Sequence, residues 1–219
     1  MNHRLFIALS LIYLTFPLLA RGSDPDSSSF EKDSLPLFDG DSLAGWEGNA
    51  YWFRVENKAI VAGRLDKRIP HNEFLCTTQA YDDFELRLEA KLLGAGQNAG
   101  IQIRSKRVPR TSEVSGYQVD MGQAGNRGVW GALYDESRRN RMLVEIDPDL
   151  HKRVVKKDTW NHYRIICKGR KVTVFLNGKK TVEYVEEDEK IPMHGIIGLQ
   201  IHSGLPSEAW YRNLRIKQL

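Results

Sequence analysis

The sequence predicts an all-β fold, a jelly-roll sandwich of two antiparallel sheets. Many short stretches alternate apolar and polar residues with a period of two, as half-buried strands do. Turn signals such as Asn177-Gly178 separate these stretches. Almost no segment after the leader shows the periodicity of an amphipathic helix. Many short strands joined by turns favour a sandwich, with one concave face open to a ligand.

A secretory signal peptide is predicted at residues 1–22. Met1 to Arg4 is weakly basic, Leu5 to Ala20 is almost wholly apolar, and small residues follow. The alternative is an uncleaved anchor, but the run is shorter than the roughly 20 residues of a spanning helix. Residues 23–34, rich in Ser, Asp and Pro, are a predicted linker. We therefore expect an exported protein, periplasmic or secreted to the cell envelope, with no membrane span after signal removal.

Residues 35–219 are sufficient for one domain with its own core. The chain contains 32 Lys and Arg and 28 Asp and Glu, which give a formal net charge of +4. The basic excess is local, and aromatic residues do not interleave with it, so nucleic acid is not an expected partner. The oligomeric state and any certain cofactor are not indicated by the sequence.

The predicted strands follow one another along the domain. In the clearest of them Phe84, Leu86 and Leu88 alternate with charged residues, which a helix would scatter around its surface. The polar, basic segment 137–157 is predicted to be a loop on the rim. Strands are predicted at 51–55, 59–63, 74–78, 82–93, 100–104, 116–122, 129–136, 160–168, 171–176, 181–184, 195–202 and 210–219.

Two cysteines, Cys76 and Cys167, fall inside predicted strands. Export would permit a disulfide between them. Free cysteine is among the most buried residue types, so two buried thiols are the preferred interpretation. The spacing of a structural zinc site is absent from the sequence.

Three predicted strands carry polar pairs on one face while their apolar residues face the core. Amide, guanidinium, carboxylate and imidazole groups together are suited to holding a hydroxyl-rich ligand. The pairs are Gln102 with Arg104, Gln118 with Asp120, and Gln200 with His202.

Several fragments, taken in order, carry a family resemblance. They are Leu37-Phe38-Asp39-Gly40, Asn98-Ala99-Gly100-Ile101, Gly116-Tyr117-Gln118-Val119, Gly131-Ala132-Leu133-Tyr134-Asp135, Thr159-Trp160-Asn161, Gly198-Leu199-Gln200 with His202, and Tyr211-Arg212-Asn213-Leu214. This ordered set resembles the 3-keto-disaccharide hydrolase domain family, of the 3-keto-glucoside 1,2-lyase or 3-keto-2-hydroxyglucal hydratase type. The resemblance implies a concanavalin-like sandwich that acts on 3-keto-sugars. The family often has Asp before the late His, where this chain has Ile201.

The resemblance also implies a chemistry. A ketone at carbon 3 acidifies the hydrogen at carbon 2, so that elimination and later hydration can cleave the bond at carbon 1. His202 and Asp120 are the candidates for base and acid. Arg104, or a bound divalent metal ion, could stabilise the enolate oxygen. Tyr134 could donate a proton or stack on the sugar. The candidate substrate-binding residues are Gln102, Gln118, Gln200, Trp130 and Asp135.

Other interpretations remain open at this stage. A non-catalytic carbohydrate-binding sandwich would use the same face without needing an acid and a base. Arg104 and Asp120 could be a simple cross-strand ion pair, and Trp130 and Tyr134 could serve packing. An ordinary glycosidase would need two carboxylates, and the predicted face supplies one clear carboxylate, Asp120, with Asp135 and Glu136 left open at a strand end.

Overall fold

The computed structural model describes residues 25–219, with side chains from Ser29 onward. The predicted signal peptide lies outside the described residues. Most of the predicted linker is a helix, α1 (Pro25–Asp33). No helix within residues 25–219 has the length and apolar character needed to cross a membrane. The compact unit formed by Asp33–Leu219 contains the strands and the second helix.

The described chain is mainly strand, as predicted. The strands are β1 (Leu35–Pro36), β2 (Trp46–Glu47), β3 (Phe53–Glu56), β4 (Ala59–Arg64), β5 (Glu73–Tyr81), β6 (Phe84–Gly94), β7 (Asn98–Arg107), β8 (Val114–Ala124), β9 (Arg127–Gly128), β10 (Leu133–Glu136), β11 (Arg141–Val144), β12 (Asn161–Lys168), β13 (Lys171–Leu176), β14 (Lys179–Val185), β15 (Gly195–Ile201) and β16 (Ser207–Gln218). The second helix, α2, is Pro148–Val154.

These strands form two eight-stranded antiparallel sheets. The front sheet has the order β11-β10-β8-β7-β15-β5-β2, with β9 paired to β8. The back sheet has the order β14-β13-β12-β6-β16-β4-β3, with β1 paired to β16. The jelly-roll sandwich predicted from the sequence is therefore confirmed.

The core lies between the two sheets and follows the period of two. Ile101 and Val119 on the front sheet and Leu86 and Ile165 on the back sheet are all completely buried in one apolar cluster. Burying a side chain of this size stabilises the fold by about 1.5–3 kcal/mol. The core fixes which face of the front sheet remains for polar groups, because a slip of one residue would exchange the two faces.

The opposite face of the front sheet, here called the site face, is concave. Glu136 on β10 and Gln200 on β15 are three strand spacings apart across the sheet, about 14 Å if it were flat. Their register positions on β8, Gly116 and Asp120, are also four residues apart along the strand. Gln200 Nε2 nevertheless lies 3.5 Å from Glu136 Oε2. Side chains that stand perpendicular to a flat sheet could not meet over that distance, so the sheet curves around them.

The segment 137–157 is not the plain loop that the sequence predicts, because it contains β11 and α2. Asp147 caps α2 by accepting a hydrogen bond from the Leu150 N–H, and Pro148 occupies the first turn. Asp-Pro at this point is a helix-start signal that the strand periodicity of the neighbouring segments obscures.

The two cysteines are free and buried. Cys167 lies in the core, whereas Cys76 lies with Phe74 and Val114 in a small apolar cluster on the site face. They belong to different sheets, which explains why no disulfide joins them. Burial raises the pKa of each thiol to about 12, so both are unreactive at neutral pH.

Candidate active site

A chain of hydrogen bonds crosses the site face and ends on a carboxyl group. Ser105 Oγ donates to Gln102 Oε1 at 2.8 Å, and Gln102 Nε2 donates to Gln118 Oε1 at 2.6 Å. Gln118 Nε2 then donates to Asp120 Oδ1 at 2.8 Å. All four residues are buried. Because each donor polarises the next, the chain holds both amides in one orientation and directs an N–H at Asp120.

Gly100 makes room for this chain. It is the register partner of Asp120 on the neighbouring strand. A Cβ built on Gly100 would lie 2.5 Å from Cδ of Gln118. The missing side chain therefore allows the Gln118 amide to lie flat on the sheet.

Asp120 has an unusual ionisation. Burial raises its pKa to about 7; the Gln118 hydrogen bond opposes this shift, and the charge of Glu136 adds to it. A carboxyl group with this pKa is partly protonated at neutral pH, so it can donate as well as accept a proton.

Glu136 is the second carboxyl group on the site face. The pKa of Glu136 is raised, because burial and the charge of Glu113 outweigh the opposing effects. Those opposing effects are the charge of His202 and hydrogen bonds from Ser137 and Gln200. Glu136 was not among the predicted site residues, although it shares a face with Tyr134 by the period of two. Alternation along β10 would therefore have identified it.

Asp135 points away from the site face, because it alternates with Tyr134 and Glu136 along β10. Its prediction as a substrate-binding residue is therefore wrong in position. Its side chain is fully buried on the other face of β10. Arg138 Nε donates to its Oδ1 at 2.8 Å, and Arg139 donates to its Oδ2. Both carboxylate oxygens are therefore engaged within the protein.

Gln200 lies fully buried on the strand next to β7. Its Nε2 contacts Glu136, as described above, but its Oε1 has no hydrogen-bond partner within the described residues. A buried carbonyl oxygen without a donor is costly, and a ligand hydroxyl on the site face would satisfy it.

His202 follows β15 directly and lies near Glu136, whose pKa it lowers. Its Nδ1 is 2.7 Å from the Ser203 carbonyl oxygen. A carbonyl can only accept, so Nδ1 carries the proton and Nε2 of the neutral ring holds a free electron pair. This tautomer is the one that a general base requires.

Tyr134 is half-buried beside the two carboxyl groups. Its pKa is raised by burial, then by the charges of Glu136 and Asp120. The phenol therefore keeps its proton over the neutral range and can donate a hydrogen bond to a ligand oxygen. The structure brings Tyr134, Asp120, Glu136 and His202 into one electrostatically connected group.

Arg104 does not join this group, which corrects its predicted place beside Gln102. Its φ of 46° lies in the left-handed region, at a register shift in β7 between Ile103 and Lys106. This bulge turns the side chain toward the end of the sandwich. There the guanidinium donates to Asp83 Oδ1 at 2.6 Å and to the carbonyls of Asp82 and Gly169 at 2.8 and 2.6 Å.

Trp130 also lies away from the site face. Its ring stacks on Tyr163, with centroids 6.3 Å apart and an interplanar angle of 20°, and both rings belong to the core cluster. The predicted strand 129–136 begins only at Leu133, because residues 129–132 form a turn. The prediction of Trp130 as a ligand platform is therefore wrong in position.

A divalent metal finds no obvious ligand set. Within residues 25–219, no three His, Cys, Asp or Glu side chains converge as metal ligands do. His202, Asp120 and Glu136 are coupled by charge but do not form such a cluster.

Solved structures with the same architecture include carbohydrate-related proteins. Two candidate glycosyl hydrolases from Parabacteroides distasonis align with TM-scores of 0.63 and 0.60, at 16% and 23% identity. The alignments cover 90% and 85% of this chain and 97% and 99% of those chains. The carbohydrate-binding module CBM66 from Bacillus subtilis aligns with a TM-score of 0.57 at 11% identity, covering 80% of this chain and 96% of that chain. At these identities the likeness shows the fold.

The sequence itself shows the family. Among curated proteins none matches this chain. The model of the 3-keto-alpha-glucoside-1,2-lyase-like domain, however, matches residues 33–217, nearly the whole described chain. This match confirms the resemblance found in the sequence fragments. The protein belongs to the 3-keto-alpha-glucoside-1,2-lyase-like domain family.

Proposed function

We propose that this protein cleaves 3-keto-glycosides by elimination followed by hydration, with net hydrolysis of the glycosidic bond. One observation carries the proposal: a buried carboxyl group with a pKa of about 7 shares a concave face with a base-competent imidazole. The 3-keto substrate class comes from the family to which the chain belongs.

His202 serves as the base in this scheme. Its Nε2 takes the proton from carbon 2 of the sugar, and the electrons of that C–H bond form the enolate of the 3-ketone. The imidazolium that results lies near Glu136, whose negative charge stabilises it. Glu136 thereby acts on the base without touching the reacting atoms.

Asp120 serves as the acid. Its proton passes to the glycosidic oxygen as the bond from that oxygen to carbon 1 breaks, which leaves a double bond between carbons 1 and 2. Gln118 keeps the carboxyl oriented, and Glu136 raises the pKa of Asp120, so that the protonated form is available near pH 7.

Tyr134 replaces Arg104 as the partner of the ketone oxygen. The phenol O–H donates to the oxygen on which negative charge develops. Gln200 Oε1, which lacks a donor in the described chain, accepts from a sugar hydroxyl. Water then adds at carbon 1 with Asp120 as base, and the imidazolium of His202 returns a proton to carbon 2.

A direct glycosidase mechanism is the second candidate, and Glu136 favours it. With Asp120 it gives the site face the two carboxyl groups that such a mechanism needs. The substrates separate the two reactions, because elimination requires the 3-ketone and direct displacement does not. A third candidate, sugar binding without turnover, is favoured by the amide chain and by the likeness to CBM66.

The test is turnover of the purified protein on 3-keto-trehalose, 3-keto-glucosides and the corresponding unoxidised sugars, with and without chelator. With substrate deuterated at carbon 2, elimination should lower kcat/KM because it breaks the C–D bond, whereas direct displacement leaves that bond intact. Sugar release from the unoxidised sugars would contradict the proposal, as would equal kcat/KM for the deuterated and unlabelled substrates. Binding of all sugars with no release would favour the binding module. Loss of activity with chelator would require a metal in the scheme.

His202→Ala should lower kcat by about 10²–10⁴, the usual contribution of a general base. The matched control is His162→Ala. That histidine lies on the back sheet with 60% of its side chain exposed, and its Nε2 is 3.0 Å from Glu89 Oε1. The control should retain wild-type turnover. Equal activity of the two variants would remove His202 from the mechanism.

A further inference from the structure

A cavity of about 240 Å³ lies among the β8–β9 hairpin, β11 and α2. Val129, Ala132, Met142 and Ile146 form an apolar wall, and the polar part of the lining includes Asn126, Arg127, Glu145 and Lys152. A second cavity of about 300 Å³ adjoins the same helix, and His151 lines both. Neither cavity is part of the acid and base group described above.

His151 offers an unused polar atom here. Its Nε2 is buried and has no hydrogen-bond partner within the described residues. The ring packs on Gly128, where an added Cβ would lie 2.2 Å from Cε1 of the imidazole. Burial lowers the pKa of His151, so the ring is neutral at pH 7. Its Nε2 can then form one hydrogen bond with a ligand. Leaving such an atom without a partner is costly unless a ligand or water meets it.

The cavity adjoins the site face. Met142 is the register partner of Tyr134 on the neighbouring strand, so their side chains share a face. The Ala132 carbonyl accepts the backbone N–H of Asp120 at 3.0 Å. A group that leaves from a sugar held between Asp120 and Tyr134 therefore has this cavity beside it.

The size and chemistry of the cavity select its occupant. An apolar cavity of about 150 Å³ is enough to hold benzene, so this one accommodates a single substituted ring. The charged residues of the lining are already paired, Arg127 with Glu145 at 2.5 Å and Lys152 with Asp149 at 3.5 Å. A sugar ring on the apolar wall would bury hydroxyls against Val129, Ala132 and Met142, which offer them no hydrogen-bond partners. An aromatic ring buries apolar surface there, and one hydroxyl on it can reach His151 Nε2.

We propose that the cavity beside His151 is a leaving-group subsite that takes a hydroxylated aromatic ring. The ring packs on Val129, Ala132 and Met142, and its hydroxyl hydrogen-bonds to His151 Nε2. This inference rests on the proposed function, and it narrows the substrates to 3-keto-glycosides of aromatic alcohols.

The first test is binding, which needs no turnover. The full chain, labelled with ¹⁵N at histidine, is titrated with catechol, and with methyl glucoside as a comparison probe. Catechol should shift the His151 Nε2 resonance, and His151→Phe should weaken binding about tenfold, as loss of one buried hydrogen bond does. The control His194→Phe alters an exposed histidine paired with Asp82 and should bind as the wild type.

Three outcomes would overturn the inference. They are no shift with catechol, an equal shift with methyl glucoside, and equal catechol affinity in His151→Phe and the wild type. The first would mean that the cavity holds only water.

The second test compares 3-keto-glucosides that carry hydroxyphenyl and methyl leaving groups. His151→Phe should lower kcat/KM about tenfold for the aryl substrate and leave the methyl substrate unchanged. Equal losses for both substrates would contradict the subsite. If catechol bound but neither substrate were turned over, the proposed reaction would be wrong, and the assignment of an aromatic ligand to the cavity would stand.

Discussion

Two carboxyl groups of the sandwich are both nearly inaccessible, yet they ionise in opposite ways. Glu186 is 3% exposed and Asp120 is 6% exposed. Burial disfavours the charge of each. For Glu186, hydrogen bonds from Arg139, Tyr117, the Asp188 N–H and Tyr184 outweigh burial and lower the pKa to about 2. For Asp120, the Gln118 amide is the one side-chain donor within residues 25–219, and the pKa is about 7.

The number of hydrogen-bond donors around a buried carboxyl group therefore decides whether it is ionised at neutral pH. Arg139 bridges Glu186 and Asp135, with Nη2 to Glu186 Oε2 at 2.6 Å, and the Tyr117 hydroxyl adds a bond of 2.5 Å. This closed network fixes one arrangement of β8, β10 and the segment after β14. The group around Asp120 is left incomplete, with an acceptor on Gln200 that has no donor in the described part of the chain and a second acid at Glu136. Incomplete polar networks are typical of sites that a ligand completes.

The largest effect is expected from Asp120→Asn. The substitution removes the acid, so kcat on a 3-keto-glycoside should fall by about 10²–10⁴. The folded protein binds more protons at Asp120 than the unfolded chain between about pH 4 and 7, so wild-type stability falls as pH rises through that window. The variant avoids this loss. Urea unfolding should show that the free energy of unfolding of the variant equals that of the wild type at pH 4 and exceeds it by on the order of 4 kcal/mol at pH 8.

Asp66→Asn is the control for that experiment, because Asp66 is exposed in the connection after β4. It should change neither kcat nor the pH dependence of unfolding. If Asp120→Asn were less stable than the wild type at pH 8, the contrast between the two carboxyl groups would be lost. The acid role of Asp120 also predicts that wild-type kcat declines above about pH 7.

Glu186→Gln should break the closed network. Removing the charge of one member of a buried ion pair typically costs roughly 3–5 kcal/mol. Arg139 and Tyr117 then face a neutral amide with one acceptor oxygen in place of two, and its NH2 group cannot accept. The lowered pKa places this stabilisation above about pH 4, and it disappears as pH falls through 2. Urea unfolding of the variant and the wild type at pH 7 measures the stabilisation by Glu186, and the same comparison at pH 3 measures its loss in acid. Glu187→Gln, at the exposed neighbour, should be neutral at both values.

The same variant sharpens the comparison on the functional side. Glu186 is assigned no contact with substrate, so kcat per folded molecule should stay close to that of the wild type. A drop in kcat as large as that of His202→Ala would show that Glu186 takes part in the reaction. The structural role of Glu186 and the catalytic role of Asp120 would then no longer be distinct.

The smallest effect is expected from Ser105→Ala. It removes the first donor of the chain that ends on Asp120, and Gln102 Oε1 loses its partner. We expect a loss of about 1 kcal/mol in the free energy of unfolding. Because the Gln102 and Gln118 amides can then rotate, the high-pH limb of kcat should shift as well. Ser112→Ala, in the loop before β8, is the control. An unchanged pH profile would show that the amide chain does not orient the acid.

Local sequence patterns alone predict the sandwich and much of the site face. Period-two alternation is a property of each strand alone, so Gln102, Gln118, Asp120 and Gln200 could be placed on one face without knowing which strands pair. The family was also readable from local fragments spread over the domain. Glu136 was within reach of the same rule, since Tyr134 and Asp135 cannot share a face.

Strand register and sheet curvature set the features that local periodicity cannot predict. The bulge in β7 turns Arg104 off the site face, and a bulge depends on the register with β8 and β15. Glu136 meets Gln200 only because the whole sheet curves. The opposite ionisation of Asp120 and Glu186 also needs the folded chain, because burial raises the pKa of Asp120 and the distant donors Arg139 and Tyr117 lower that of Glu186.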